Sequence, residues 1–178
     1  MKEANPFRVG ARLRSIVLAH AVSSLLLIAL LGCAQMARAA TWHNIEPLKS
    51  RRADVERELG KPLTDAPGAG GALHFKVAGG MVTVTFVSAK FVATKKLAPE
   101  YEGAVLEVVL QHDNAPDTPD SLKLTTNSDF DHDSNGGVDV YRNLKDGISY
   151  TFINGRLRTT RYAPAAEQLL HAQKGTSE

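Results

Sequence analysis

Residues 147–162 read GISYTFINGRLRTTRY and contain two strand-forming runs on either side of Asn154 and Gly155. The Asn-Gly dipeptide favours a two-residue turn with positive backbone φ at both positions, the turn that joins neighbouring antiparallel strands. A turn of that length also fixes which residues lie opposite each other. We therefore predict a β-hairpin here, with Phe152 opposite Leu157.

The same register predicts which face of this hairpin is buried. Tyr150 would lie opposite Thr159, and Ile148 would share that apolar face with Phe152 and Leu157. The other face would carry polar side chains and contact water. Its members are Thr151, Arg156, Arg158 and Thr160.

Strand patterns continue toward the N-terminus of the chain. Residues 73–77 and 81–87 flank the sequence AGG, which predicts a second hairpin. Residues 104–111 are apolar on both faces, which predicts a strand in the middle of a sheet. Residues 138–141 read as a further short strand.

One helix is predicted before the first strand. Ser50 is a favoured N-cap residue, and Val55 and Leu59 lie four residues apart, on one helix face. Gly60 suits the position after the last helical residue, and Pro62 cannot continue a helix. We expect a helix of about ten residues.

These elements predict an α+β fold built as a two-layer sandwich. An antiparallel sheet of about five strands would carry one short helix packed on one face. Residues 91–94 would extend a strand or begin a loop, and the polar residues 114–137 would form a loop. The predicted single domain covers residues 40–164, and residues 165–178 would form a short helical turn and a flexible tail.

The first 39 residues have the pattern of a secretory signal peptide. Residues 2–14 carry four positive charges and one negative charge, and the largely apolar run 16–31 follows. A retained transmembrane anchor over residues 15–32 is the alternative. Its borderline length and the polar residues inside it favour a cleaved signal instead.

Two cleavage sites compete at the end of this leader. Residues 30–33, LLGC, resemble the lipobox at which bacteria acylate a cysteine and cut before it, and Cys33 is the only cysteine of the chain. Residues 37–39, ARA, form a small-x-small site with cleavage before Ala40. The second cleavage predicts a periplasmic or secreted domain, and the first, after residue 32, an outer-membrane-anchored lipoprotein.

Charge argues against a nucleic-acid partner. The formal net charge is +2, but five of the 21 basic residues lie in the leader. From residue 41 onward, 16 basic residues stand against 18 acidic ones. The mature domain therefore lacks the positive field that phosphate backbones select. We expect contact with a membrane only through the signal peptide or a lipid anchor.

The helical region resembles known exported proteins. The residues that carry the resemblance are Ile45, Pro47, Leu48, Ser50, Arg52, Asp54, Val55, Glu56, Leu59, Gly60 and Pro62. Their pattern resembles a group of exported bacterial proteins and, more distantly, is similar to the small outer-membrane lipoproteins of the BamE/SmpA-OmlA type. The resemblance implies a short helix before a small antiparallel sheet, and a role in binding partners during outer-membrane protein assembly.

The acidic run between residues 129 and 139 is the part of the sequence that most suggests a metal-binding site. Its candidate ligands are Asp129, Asp131, Asp133, Asn135 and Asp139. Their spacing around Gly136 follows the start of a calcium loop, but Arg142 stands where an EF-hand needs a bidentate glutamate. A looser Ca²⁺ site and a plain solvated loop both fit, because Asp, Asn and Gly are also common turn residues.

No catalytic pattern accompanies that run. The mature histidines lack metal-ligand spacing, and the nucleophile-elbow, Walker and dinucleotide motifs are absent from the sequence. Arg156, Arg158 and Arg161, with Lys145 nearby, suggest either a contact patch or charges that deter strand addition. We predict a non-enzymatic binding or assembly module for an envelope protein or cell-wall component. The alternative is a metal-dependent hydrolase that uses residues 129–139.

Overall fold

The computed structural model describes residues 39–63 and 71–174. These belong to one compact unit spanning residues 37–178. The predicted leader up to residue 38, Cys33 within it, and the predicted tail from residue 175 lie outside the described residues. Both cleavage hypotheses therefore remain predictions from the sequence.

The described chain contains seven strands and three α-helices. In chain order they are α1 (Arg52–Leu59), β1 (Ala72–Val77), β2 (Gly80–Phe86), α2 (Ala89–Lys95), β3 (Val105–His112), β4 (Asp131–Asn135), β5 (Val138–Asn143), β6 (Ile148–Ile153), β7 (Arg156–Tyr162) and α3 (Ala166–Lys174). A 3₁₀ turn at Pro99–Tyr101 precedes β3. The α+β class holds, but the prediction of about five strands and one helix is wrong.

All seven strands form one antiparallel sheet in the order β1-β2-β3-β7-β6-β5-β4. Strands β1 to β3 are connected in sequence and form what we call the first meander. Strands β4 to β7 form the second meander. The two join at a single seam between β3 and β7, where Val108 lies opposite Tyr162 and Gln111 opposite Thr159. Strand β3 is thus in the interior of the sheet, as its two apolar faces predict.

The missed strand and the missed helix have different causes. All five residues of β4 are exposed, so its sequence has no buried alternation and reads as a polar loop. Helix α2 occupies residues 91–94, which were predicted as strand or loop. Its N-cap is Ser88, whose hydroxyl accepts a hydrogen bond from the Phe91 amide at 3.2 Å.

The hairpin at Asn154 and Gly155 forms as predicted, with one change of register. Phe152 lies opposite Leu157, but Thr159 lies opposite Thr151 rather than Tyr150. Arg158 is the extra residue of a β-bulge, and such a residue reverses the faces that follow it on its strand. Thr160 therefore lies opposite Tyr150 and is buried, whereas the sequence predicted that it contacts water.

Helix α1 begins one residue later than Ser50 would imply as a cap. The Ser50 hydroxyl instead accepts a hydrogen bond from the Glu46 amide at 2.9 Å. Arg51 is the N-cap residue, and Asp54 accepts from its amide at 2.9 Å. That bond, followed by the hydrogen bond from Arg57, lowers the pKa of Asp54 below its ordinary value of 3.8.

One face of the sheet, which we call the covered face, holds two hydrophobic clusters. Under α1, the first meander packs a fully aliphatic and aromatic cluster around Phe75, Val82, Val84 and Val108, together with Val55 of the helix. These side chains are at most 1% exposed. The first meander is therefore a conventional helix-on-sheet layer.

The second meander is covered by residues 113–130, which we call the covering segment. This segment supplies Leu124, which packs with Tyr141, Phe152 and Leu157. The Leu157 amide donates to the Asp117 carbonyl at 3.1 Å, so main chain and side chains both hold the segment down. The prediction of a loop is correct for residues 114–130, which form no helix or strand. The loop nevertheless packs against the sheet.

A third cluster lies around Val87, Leu97, Ala104 and Ala172 and includes Leu169 at its margin. Ala172 and Leu169 belong to α3, so the helix expected after Pro164 packs against the domain. Among the described residues, no helix has the length and apolar character needed to cross a membrane.

Candidate functional site

The acidic run forms an exposed β-hairpin at the edge of the sheet. Its turn is Gly136-Gly137, where both φ angles are positive, at 57° and 80°. Asp131, Asp133 and Asn135 alternate along β4 and point to one face. Side chains spaced this way lie about 7 Å apart along a strand, too far to share one ion.

The remaining predicted ligands do not complete that set. Asp139 shares the opposite face with His132 and Ser134, and Asp129 precedes β4. Across residues 39–63 and 71–174, no three His, Cys, Asp or Glu side chains form a metal-binding group. The hairpin therefore gives the Ca²⁺ hypothesis no converging ligand set.

Asp139 is the centre of a small polar group on the covered face. The His132 Nε2 atom lies 3.1 Å from its Oδ1, and Ser134 also hydrogen-bonds to it. These two bonds, that from Ser134 the stronger, lower the pKa of Asp139 below 3.8. The Ser134 hydroxyl is thus bound to the carboxylate. A serine nucleophile instead needs its hydroxyl on the histidine nitrogen.

His132 also stacks on Tyr141, with ring centroids 4.3 Å apart and planes 9° from parallel. Beside this pair the covering segment leaves an open cavity of about 550 Å³, lined in part by Phe130 and Asn127. Stacking and the Asp139 contact both fix the imidazole ring. The pair therefore stands at the exposed edge of the sheet, beside this cavity.

The predicted basic patch is divided among three places. Arg156 donates to the Pro116 carbonyl and Arg158 to the Asp113 carbonyl, so both fasten the covering segment. Arg161 pairs with Glu107 on the other side of the sheet, at 2.6 Å. Lys145 lies in the turn between β5 and β6, at the opposite end of the strands from Arg156. The four cations do not act as one surface.

The face of the sheet opposite the covered one, which we call the open face, is mainly polar in the rows that the strand pairing defines. Two complete rows of side chains cross it. From β1 to β4 the first row is Lys76, Met81, Gln111, Thr159, Thr151, Val140 and Asp133. The second is His74, Thr83, Val109, Arg161, Ser149, Arg142 and Asp131.

An apolar pair interrupts this polar face near the β4–β5 and β6–β7 turns of the second meander. Val138 and Ile153 lie directly opposite each other on β5 and β6 and are 36% and 42% exposed. The turns beside them are fixed, because the Asn154 amide donates to the Gly137 carbonyl at 2.8 Å. Exposed apolar side chains on a rigid support are a common feature of contact surfaces.

A second feature lies where the first meander and α1 end. Trp42 and His43 stand on a tight turn, and their rings lie 4.3 Å apart. With Glu58, Gln111 and His112 they line a cavity of about 430 Å³, which we call the end cavity. The sequence suggested Trp42 as an anchor or a core cap. No sequence pattern indicates that residues 42, 58 and 112 lie close together, and they meet only in the folded domain.

No family model, curated protein or solved structure matches the chain. The resemblance to exported proteins of the BamE/SmpA-OmlA type is therefore an expectation that rests on the residues around α1. The function must be argued from the surfaces of the domain.

Proposed function

We propose that this chain is an exported, non-catalytic domain of the cell envelope that binds a partner protein on the open face of its sheet. The exposed cross-strand pair Val138 and Ile153 carries the proposal. Export rests on the leader sequence, which ends in either a lipobox or a small-x-small site. The two cleavage products would differ in membrane attachment and share the same binding face.

The extent of the open face suits a protein. Seven strands spaced about 4.8 Å apart and about 20 Å long give on the order of 600 Å². Each partner in a standard protein interface contributes about 800 Å². A face of this size, with neighbouring loops, is therefore large enough for specific docking.

The charges of the open face also favour a protein over a polyanion. Arg161 is neutralised by Glu107 at 2.6 Å, and Arg142 lies 3.8 Å from Asp133. Lys76 and Asp133 stand at opposite ends of one row. Mixed signs at short range match the mixed surface of a protein better than the uniform charge of an anionic membrane or a nucleic acid.

A metal-dependent hydrolase is less well supported. Asp131 and Asp133 lie on the open face and Asp139 on the covered face, so the carboxylates would have to converge through the sheet. The described residues of the hairpin offer no concave site in which several of these groups meet.

The test is site-specific photocrosslinking in intact cells, with the photoreactive residue at position 153 or at position 144. Leu144 is 67% exposed, at the other end of the β5–β6 pair, and is the matched control. We expect a discrete protein adduct from position 153 alone, and its loss when Val138→Lys is added. Equal adducts from both positions, or none from position 153, would refute the proposal. An adduct of twice the chain's own mass would identify a second copy as the partner.

A further inference from the structure

We propose that the end cavity is a second binding site, which takes an aliphatic ammonium group such as the side chain of a lysine in a peptide. It is separate from the proposed contact at Val138 and Ile153, since it lies at the β1–β2 turn of the first meander. Nothing in the docking proposal requires it, and the two can fail independently.

The cavity exists because small residues leave space at the end of the sandwich. Gly79 and Gly80 form part of its wall and have no side chains to fill it. Gly80 cannot be enlarged, because a Cβ there would lie 2.0 Å from the Gln111 carbonyl oxygen. Helix α1 ends at Leu59, so no further turn of helix covers the opening. The space is thus built into the fold.

The floor of the end cavity is apolar and suits a methylene chain. Leu59, Val77 and Leu110 line it, and each packs against the cluster of the first meander. Met81 adds a flexible thioether from the open face. At about 430 Å³ the cavity lies within the range of small-ligand sites, roughly 300–1,000 Å³. It can hold one long side chain.

The charges around the cavity select a cation. Glu58 brings a carboxylate to the lining, and Lys or Arg does not occur among the lining residues. Burial lowers the pKa of His112 below its ordinary value of 6.5, so that ring is neutral at pH 7. Lys76, next to the lining residue Val77, is paired with Asp113 at 3.4 Å. The carboxyl end of α1 adds partial negative charge at the same place.

Trp42 completes the chemistry expected of an ammonium site. A cation gains stabilisation over the face of an indole ring, and the indole is the best aromatic partner for this contact. Trp42 lines the cavity together with the turn glycines and is partly buried against the cluster of the first meander. Arg57 Nε lies 3.8 Å from Glu58 Oε1, but the same guanidinium also pairs with Asp54 at 2.8 Å. Two carboxylates share one arginine, so an anionic ligand would still meet net negative charge at Glu58.

Trp42 is the only tryptophan of the chain, so its fluorescence reports this site directly. The experiment titrates the full chain with Nα-acetyl-lysine-N-methylamide and, separately, with the norleucine analogue, which has the same stem without the charge. The Trp42 indole N–H resonance is followed by NMR in parallel. We expect saturable binding of the lysine probe, with the norleucine analogue about three- to tenfold weaker.

The matched variants are Glu58→Gln and Glu56→Gln. Glu56 lies on the same helix, is paired with Arg52 at 2.6 Å and does not line the cavity. Glu58→Gln should lower the affinity for the lysine probe toward that of the norleucine analogue, whereas Glu56→Gln should leave it unchanged. Equal affinity for the two probes, an unchanged affinity in Glu58→Gln, or no saturable change in either Trp42 signal would overturn the proposal.

Discussion

The two meanders of the sheet bury the same face by different means. In the first, a helix lies on β1 to β3, and Phe75, Val82 and Leu110 stand next to one another in a wholly apolar row. In the second, an irregular segment covers the strands. The same row continues through Thr160, Tyr150, Tyr141 and His132.

The chemistry of the strand side chains depends on the element that covers them. A helix satisfies its own backbone hydrogen bonds and can therefore present a dry apolar stripe to the sheet. An irregular segment carries backbone groups that need partners, and β7 supplies two arginine side chains to it. Arg156 and Arg158 donate to carbonyls of the covering segment for this reason.

The largest expected effect comes from truncating the central aromatic of each cluster. Phe75 is 1% exposed and Phe152 is 0% exposed. Each change to alanine should lower the free energy of unfolding by about 3–5 kcal/mol, through lost burial and the cavity left behind. Because one continuous sheet joins the meanders, we expect urea unfolding followed by Trp42 fluorescence and by far-UV circular dichroism to give one coincident transition for each variant. Separate transitions for Phe152→Ala would mean that the meanders unfold independently.

Glycines of the two meanders differ in how closely other backbone atoms approach them. A Cβ at Gly147 would lie 2.1 Å from the Ala163 carbonyl oxygen, and φ there is +71°. A Cβ at Gly80 meets the Gln111 carbonyl, while Gly136, with φ of +57°, has nothing within 4 Å. Substitution by alanine should lower the free energy of unfolding by about 3 kcal/mol at Gly147, about 2 kcal/mol at Gly80 and about 1 kcal/mol at Gly136.

Thermal unfolding of the three alanine variants checks that order. Gly136→Ala serves as the control, because it adds an unfavourable φ without a collision. If Gly147→Ala were as stable as Gly136→Ala, the contact between the β5–β6 turn and the chain after β7 would be looser than the structure describes.

The smallest expected effect concerns pH at the seam. His112 Nε2 and the Thr160 hydroxyl oxygen lie 2.9 Å apart, and burial lowers the His112 pKa while Asp117 partly opposes the shift. The unfolded chain therefore binds a proton more readily than the folded one. This contribution to stability is present above pH 6.5 and is lost as the pH falls from there toward the folded pKa.

His112→Gln tests this sign, because glutamine can bond to Thr160 but does not titrate. Melting temperatures measured at several pH values should fall less steeply below pH 6.5 in the variant than in the parent. A parallel dependence in both proteins would place the acid sensitivity in other groups.

The sequence predicted the first meander better than the second. The helix stop at Gly60 and the strands around residues 78–80 are local patterns, and both are present in the fold. In the second meander, the Asn-Gly turn was equally local and was predicted correctly. The bulge at Arg158 has no local pattern, because an extra residue reads like any other exposed strand position. Because the bulge was not predicted, the residues of β7 after Arg158, Thr160 among them, were assigned to the wrong face of the sheet.

The candidate sites were less predictable than the fold. Aspartates at alternate positions satisfy the spacing of a calcium loop and also the pleat of an exposed edge strand. Only the pairing of β4 with β5 decides between a loop with converging ligands and an extended strand. The spacing of the aspartates does not indicate that pairing. The end cavity draws on the turn at Trp42, the end of α1 and the end of β3, which lie far apart in sequence.

The seam between β3 and β7 has a consequence for the order in which the chain can fold. Every other strand pairing joins neighbours in sequence, so each meander can form by quick local closures. The seam pairs residues 108–111 with residues 159–162 and must wait until the covering segment has crossed the second meander. The rate of folding is therefore governed by the formation of this one non-local strand pairing. If β3 and β7 pair slowly, their unpaired edges are transiently available to pair with strands of other chains.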